Sequence, residues 1–208
     1  MLQPVLNGLN QRTPKDRLLV PVYPHLAAQI MEEYRRDSGV VLELGPFSGG
    51  ISQEMARLYT GLNITIADKS PAVVDYLRQE ISEARLAHRI KIEQTGFDQL
   101  AFDDGQFDLV ICRGAFFFLS HDLLCEMLRV LKSGGIAFVG GGFGKGTPQE
   151  IIAEIEDESR ELNLRLGRKR VSKEELEQMF GETGLTASCR VVEQGGLWLS
   201  ITRLQYDM

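Results

Sequence analysis

The run Val40-Val41-Leu42-Glu43-Leu44-Gly45-Pro46-Phe47-Ser48-Gly49-Gly50 decides the fold class. Its first five residues are nearly all aliphatic, as in a short strand buried on both faces of a sheet. Gly45, Gly49 and Gly50 then allow a sharp turn and a close backbone approach to a ligand. A helix follows directly behind them, through Leu58.

Outward from that run, strand and helix keep alternating. Residues 64–68 form a second strand, after which Ser70 and Pro71 supply an N-cap and a first-turn proline for a helix to about Arg85. Residues 90–93 and 107–112 are the third and fourth strands. A helix through Leu123, Leu124, Met127 and Leu128 ends at 132–135, and 136–139 is a fifth strand running into Gly140, Gly141 and Gly142. Strands separated by whole helices need crossover connections, so they pair in parallel. Residues 186–192 and 197–203, joined only by 193–196, permit an antiparallel pair. The expectation is an α/β, Rossmann-like, doubly wound and mostly parallel seven-stranded sheet with an antiparallel C-terminal hairpin.

The flanks add detail. Pro4, Pro14, Pro21 and Pro24 interrupt the start, and helical spacing over 25–36 ends toward Gly39. Thr147 with Glu150 and Ser172 with Glu175 fit capping boxes, with Gly167 and Gly184 as helix ends. The chain reads as one domain over 1–208, with 1–38 as a cap or lid segment and 39–208 as the α/β core.

Composition narrows the function. The 208 residues are 43% hydrophobic and 25% charged, with a formal net charge of -6. A surface built to grip phosphate backbones needs clustered positive charge, so no nucleic-acid partner is expected. The first ten residues lack the basic start and apolar run of a secretory signal, and no stretch nears the roughly 20 apolar residues of a membrane span. Cys112, Cys125 and Cys189 are odd in number and lack metal-ligand spacing. They read as reduced thiols of a cytoplasmic protein without a metal.

Ligands of open α/β sheets bind beyond the carboxyl ends of the strands. Asp68 ends the second strand about twenty residues after the glycine loop, where a carboxylate can accept hydrogen bonds from both ribose hydroxyls of an adenosine. Loop, spacing and acid together point to an adenosine-bearing ligand; the plainer alternative is a tight turn beside a solvated acid. Gly45 and Gly49 stand four apart with Phe47 between them, unlike the G-x-G-x-x-G turn that seats a pyrophosphate.

Residues 43–50 resemble the first motif of class I S-adenosylmethionine-dependent methyltransferases, and Ala67-Asp68-Lys69-Ser70 resembles their second. Residues 100–108 resemble the stretch entering their fourth strand, and Leu131-Lys132-Ser133-Gly134-Gly135 the turn before their fifth. The resemblance covers roughly 40–139 and implies S-adenosylmethionine as cofactor. It places Glu43 near the methionine amino end, Gly45, Pro46 and Gly49 around the methionine, and Asp68 with Lys69 at the ribose. Two positions depart from the family: Phe47 replaces the middle glycine, and Gly96 falls where an acid often meets the adenine. Asp98 or the backbone N–H of Phe97 takes over that contact.

The same resemblance sets Arg113 and Gly114 at the methionine end. Phe116 and Phe117, in the run 116–118, wall an apolar pocket or pack helix against sheet. Gly142 and Phe143, in the glycine-rich stretch 140–146, lie where an acceptor enters, although these glycines also suit a flexible link. Tyr23 folds over the cofactor. No residue stands out as a general base: His121 reads as solvated or capping, His25 and His88 are weaker candidates, and Cys112 reads as a small buried hydrophobe. The basic cluster Arg165, Arg168, Lys169 and Arg170 reads as a solvated helix end, or alternatively as a site for an anionic acceptor. The expected activity is methyl transfer to an unidentified small molecule. A non-catalytic S-adenosylmethionine-binding module, and another transfer reaction on the same fold, are the alternatives. A homo-oligomer is compatible with either.

Overall fold

The computed structural model describes residues 19–45, 48–115, 118–156, 172–182 and 187–204. Its strands are β1 (Ser38–Leu44), β2 (Gly61–Asp68), β3 (Ile90–Gln94), β4 (Phe107–Arg113), β5 (Leu131–Gly142), β6 (Ala187–Val192) and β7 (Gly196–Arg203). They form one seven-stranded sheet in the order β3-β2-β1-β4-β5-β7-β6. β1 to β5 pair in parallel, and β7 runs antiparallel to both β5 and β6. The sheet and its C-terminal hairpin are those expected from the alternation of strands and helices.

Among the described residues, six α-helices cover the sheet: α1 (Tyr23–Tyr34), α2 (Gly50–Leu58), α3 (Pro71–Glu83), α4 (His121–Val130), α5 (residues 149–156) and α6 (Lys173–Gly181). Successive strand residues point to opposite faces, so the central strands feed two cores. Val41, Leu109, Ile111, Phe138 and Trp198 join the apolar faces of α1, α2 and α3. Leu42, Leu44, Val110, Cys112, Ala137 and Val139 join that of α4. Trp198 and Phe138 stack with centroids 4.7 Å apart, locking the antiparallel hairpin onto the parallel part of the sheet. On β4, Asp108 anchors the strand's base, accepting from Lys132 at 2.7 Å and from the Val40 N–H at 2.8 Å.

Several boundaries differ from expectation, each for a local reason. α1 begins at Tyr23, and Pro24 sits in its first turn, where a missing N–H costs nothing. The helix ends at Tyr34 with Arg35 in the left-handed region (φ 58°), well before Gly39. Gly39 belongs instead to β1, where a side chain would collide with the Tyr34 hydroxyl. Lys132 to Gly135, expected as a turn, already lie in β5, which starts directly after α4. Ser70 holds the N-cap position of α3 without a side-chain cap bond, and its own N–H donates to the Asp68 carboxylate. Ser172 and Glu175 make the expected capping box, whereas the Thr147 hydroxyl donates to the Phe143 carbonyl. Gly167, Gly184 and the basic cluster at 165–170 lie outside the described residues.

The glycines at the end of β5 have a packing role. A β-carbon at Gly140 would overlap the Leu197 carbonyl oxygen, and one at Gly142 the Gly195 carbonyl oxygen, both on the β7 side. Gly140→Ala should therefore destabilise the fold by about 1–3 kcal/mol, because backbone rather than a pliable side chain must yield. Gly96→Ala, whose nearest neighbour would be 3.6 Å away, should change stability by less than about 0.5 kcal/mol. Urea denaturation of the two variants checks the contrast.

Candidate functional site

In-register pairing of Leu44 with Ala67 and with Cys112, and of Asp68 with Gln94, brings the carboxyl ends of β1 to β4 level. The loops leaving those ends share one edge of the sheet. Glu43, fully buried on β1, organises the first of them. Its Oε2 accepts the backbone N–H of Gly49 at 3.0 Å and of Ser52 at 3.1 Å, tying the start of α2 to the strand. Gly45 and Gly49 both have positive φ, 103° and 111°, a backbone shape that favours glycine. The Gly45 N–H bonds the Ala67 carbonyl on β2 at 3.2 Å, and the Ser48 N–H returns to the Gly45 carbonyl at 3.0 Å. Pro46 and Phe47 lie outside the described residues. Tyr23, at the start of α1, packs its ring where a Gly50 side chain would be. The N-terminal helix thereby touches the first turn of α2, directly behind the glycine loop.

Asp68 closes β2 and is only 2% exposed. Its Oδ1 accepts the Ser70 N–H at 2.7 Å, while Oδ2 is buried with no hydrogen-bond partner among the described residues. Burial pushes this carboxyl above its usual pKa, against the opposing pull of the Ser70 N–H and the Lys69 charge. A buried acceptor without a donor is costly and rare in a folded chain. At this place it suits a donor brought by a ligand, such as a ribose hydroxyl.

The third loop is a tight turn. Thr95 bonds its N–H to the Asp68 carbonyl at 3.1 Å, and its hydroxyl accepts from Ala101 N–H at 2.8 Å. Gly96 and Asp98 are exposed, whereas Phe97 is buried. The Lys69 ammonium lies 5.5 Å from the centre of the Phe97 ring. That ring also stacks on Phe118 at 5.5 Å and 27°. At the fourth strand, buried Arg113 donates from Nη2 to the Gly142 carbonyl at 3.4 Å, and Gly114 (φ 70°) donates its N–H to Gly140 at 2.6 Å. Half-buried Phe143 gives its N–H to Gly195.

The residues selected from sequence thus gather in three groups along one edge. Tyr23, Glu43, Gly45 and Gly49 form the first, Asp68, Lys69, Gly96, Phe97 and Asp98 the second, and Arg113, Gly114, Gly142 and Phe143 the third. Phe116 and Phe117 lie outside the described residues. Their neighbour Phe118 is the phenylalanine of that run that can be placed, and nothing in the sequence distinguished it from the other two.

His121 is exposed in the first turn of α4, and the capping role belongs to Ser120, whose hydroxyl accepts the Leu123 N–H at 3.1 Å. Burial, and then the charge of Glu43, push the fully buried Cys112 thiol far up, so it stays neutral. Among the described residues, no cluster of three His, Cys, Asp or Glu is arranged to hold a metal ion.

A family model described as a methyltransferase domain matches residues 42–139. The sarcosine/dimethylglycine N-methyltransferase of Halorhodospira halochloris is 34% identical over 121 residues, covering 56% of this chain and 43% of that protein. The chain spans about half the length of the curated relatives it matches. A solved structure from Methanococcus maripaludis, described as an S-adenosyl-L-methionine-dependent methyltransferase, is 26% identical with a TM-score of 0.82. It covers 98% of this chain and 94% of its own. The [4+2]-cyclase SpnF shares the fold at 20% identity and a TM-score of 0.61, over 81% of this chain and 59% of its own.

Asp68 generates a pH-dependent prediction. At low pH both the folded and unfolded chains carry its proton. As pH rises past the ordinary carboxylate value, the unfolded chain releases the proton first, and stability is lost until the raised folded pKa is passed. Asp68→Asn should therefore be more stable than the wild type at neutral pH, with the gain vanishing below about pH 4. Denaturation curves at the two pH values check both arms.

Proposed function

We propose that this chain, whose residues 42–139 match a methyltransferase-domain family model, is a class I S-adenosylmethionine-dependent methyltransferase that transfers a methyl group from that cofactor to a small-molecule acceptor. The observation that carries the reading is the buried Oδ2 of Asp68, without a hydrogen-bond partner among the described residues, beside a glycine loop cinched by Glu43. In this reading Asp68 accepts the ribose hydroxyls, with Lys69 alongside. The loop of Gly45, Pro46 and Gly49 holds the methionine. Its amino end lies toward Glu43, with Arg113 and Gly114 near the same moiety. Gly96, the Phe97 backbone and Asp98 border the adenine. Tyr23, Phe116, Phe117, Gly142 and Phe143 border the acceptor.

When bound, the cofactor supplies a methyl group already activated by a sulfonium. What remains for the protein is to align the acceptor and keep water away. An acceptor that brings its own lone pair, such as an amine, needs no base to create the attacking pair. The Halorhodospira halochloris relative is named a sarcosine/dimethylglycine N-methyltransferase, so secondary and tertiary amines head the acceptor search. The same reading takes 1–208 as one domain, with 1–38 as a cap over the core. It also places the chain in the cytoplasm, in keeping with three free cysteines.

Calorimetry with S-adenosylmethionine and S-adenosylhomocysteine tests the cofactor, and failure to bind either one overturns the reading. Asp68→Ala should weaken both ligands by about 10- to 100-fold, the worth of a hydrogen bond to a charged group. A labelled-methyl screen against small amines and wider metabolite pools tests the reaction. Binding without transfer to any pool would indicate a non-catalytic module.

A further inference from the structure

One side chain reaches across the loops that frame Asp68. Phe118 leaves the short turn after β4, where its N–H and that of Leu119 both bond the Ala115 carbonyl. Its ring lies against Gly45, the Cζ atom 2.8 Å from where a β-carbon would stand. The same ring stacks on Phe97 of the loop after β3. In the strand order, β2 lies between β3 and β1. A ring that touches Gly45 on one side and Phe97 on the other therefore spans the end of β2, where Asp68 sits with an Oδ2 that has no donor among the described residues.

Phe118 is half-buried at the margin of the core that α4 covers, Gly45 offers only backbone, and Phe97 is the single aromatic ring it meets among the described residues. Such a ring gives up less packing on leaving its position than the fully buried Trp198 or Phe138.

We propose that Phe118 is a gate on the adenosine groove: it closes the approach to Asp68 by bridging Gly45 and Phe97, and it must swing aside for the cofactor to be admitted. The inference rests on the cofactor reading above and adds a kinetic element to it. A binding-competent state populated to between about 0.1 and 10% slows association and weakens affinity by that fraction. Removing the ring restores the lost fraction.

The test is surface plasmon resonance of S-adenosylhomocysteine over the immobilised full chain, for the wild type, Phe118→Ala, Phe118→Leu and Phe97→Leu. Circular dichroism verifies that each is folded. The gate predicts that association with Phe118→Ala is faster by about tenfold or more, with Phe118→Leu and Phe97→Leu shifted the same way by less. A ring that only packs, or only holds the bound ligand, would leave association unchanged or slower and change dissociation alone. That outcome in the folded Phe118 variants overturns the gate while leaving the cofactor reading intact. Failure of the wild type itself to bind overturns both.

Discussion

The buried carboxylate of Glu43 is the interaction on which the site depends. It sits on the central strand β1 and holds the N–H groups of Gly49 and Ser52, donors that the first turn of a helix cannot satisfy internally. Charge placed there also favours the positive end of the α2 dipole. The result is a glycine loop fixed at both ends, by strand on one side and by helix on the other. Gly45 then extends the brace to β2 through the Ala67 carbonyl, and Tyr23 fixes α1 against Gly50. Loop, second strand and N-terminal helix thus take their positions from one buried charge and the backbone it gathers.

Asp68 shows the opposite economy. Its Oδ1 serves the start of α3, while its Oδ2 is buried without a donor among the described residues. Folding gains nothing from that oxygen, and the raised pKa of the carboxyl records the cost of burial. An expense of this kind at the carboxyl edge of a parallel sheet is what a preformed ligand site entails. Glu43 and Asp68 are thus both buried acids at strand ends; Glu43 Oε2 gathers backbone N–H groups of the glycine loop, whereas Asp68 Oδ2 has no donor among the described residues.

Much of this was legible in the residues themselves. The alternation of strands and helices and the short link before β7 led directly to a mostly parallel seven-stranded sheet with an antiparallel C-terminal hairpin. Helix ends were less legible, because they turned on tertiary contacts. Gly39 was spent on the Tyr34 hydroxyl rather than on a helix stop, and the Ser70 N–H was taken by Asp68. The glycines of β5 were ambiguous for the same reason. Close approach can serve a ligand or the chain itself, and at Gly140 and Gly142 the neighbour is β7. Phe118 could not be separated from its two neighbours in sequence, since only the three-dimensional reach of the turn after β4 sets it across the groove.

The central claim is that this edge of the sheet receives the adenosine of S-adenosylmethionine, with Asp68 as the ribose acceptor. The most direct measurement is a crystal structure of the chain with S-adenosylhomocysteine bound. The account predicts ribose hydroxyl oxygens about 2.5–3.0 Å from the Asp68 carboxylate, with the methionine portion along the loop that Glu43 holds. A ligand seated elsewhere, or a ribose turned away from Asp68, would contradict it.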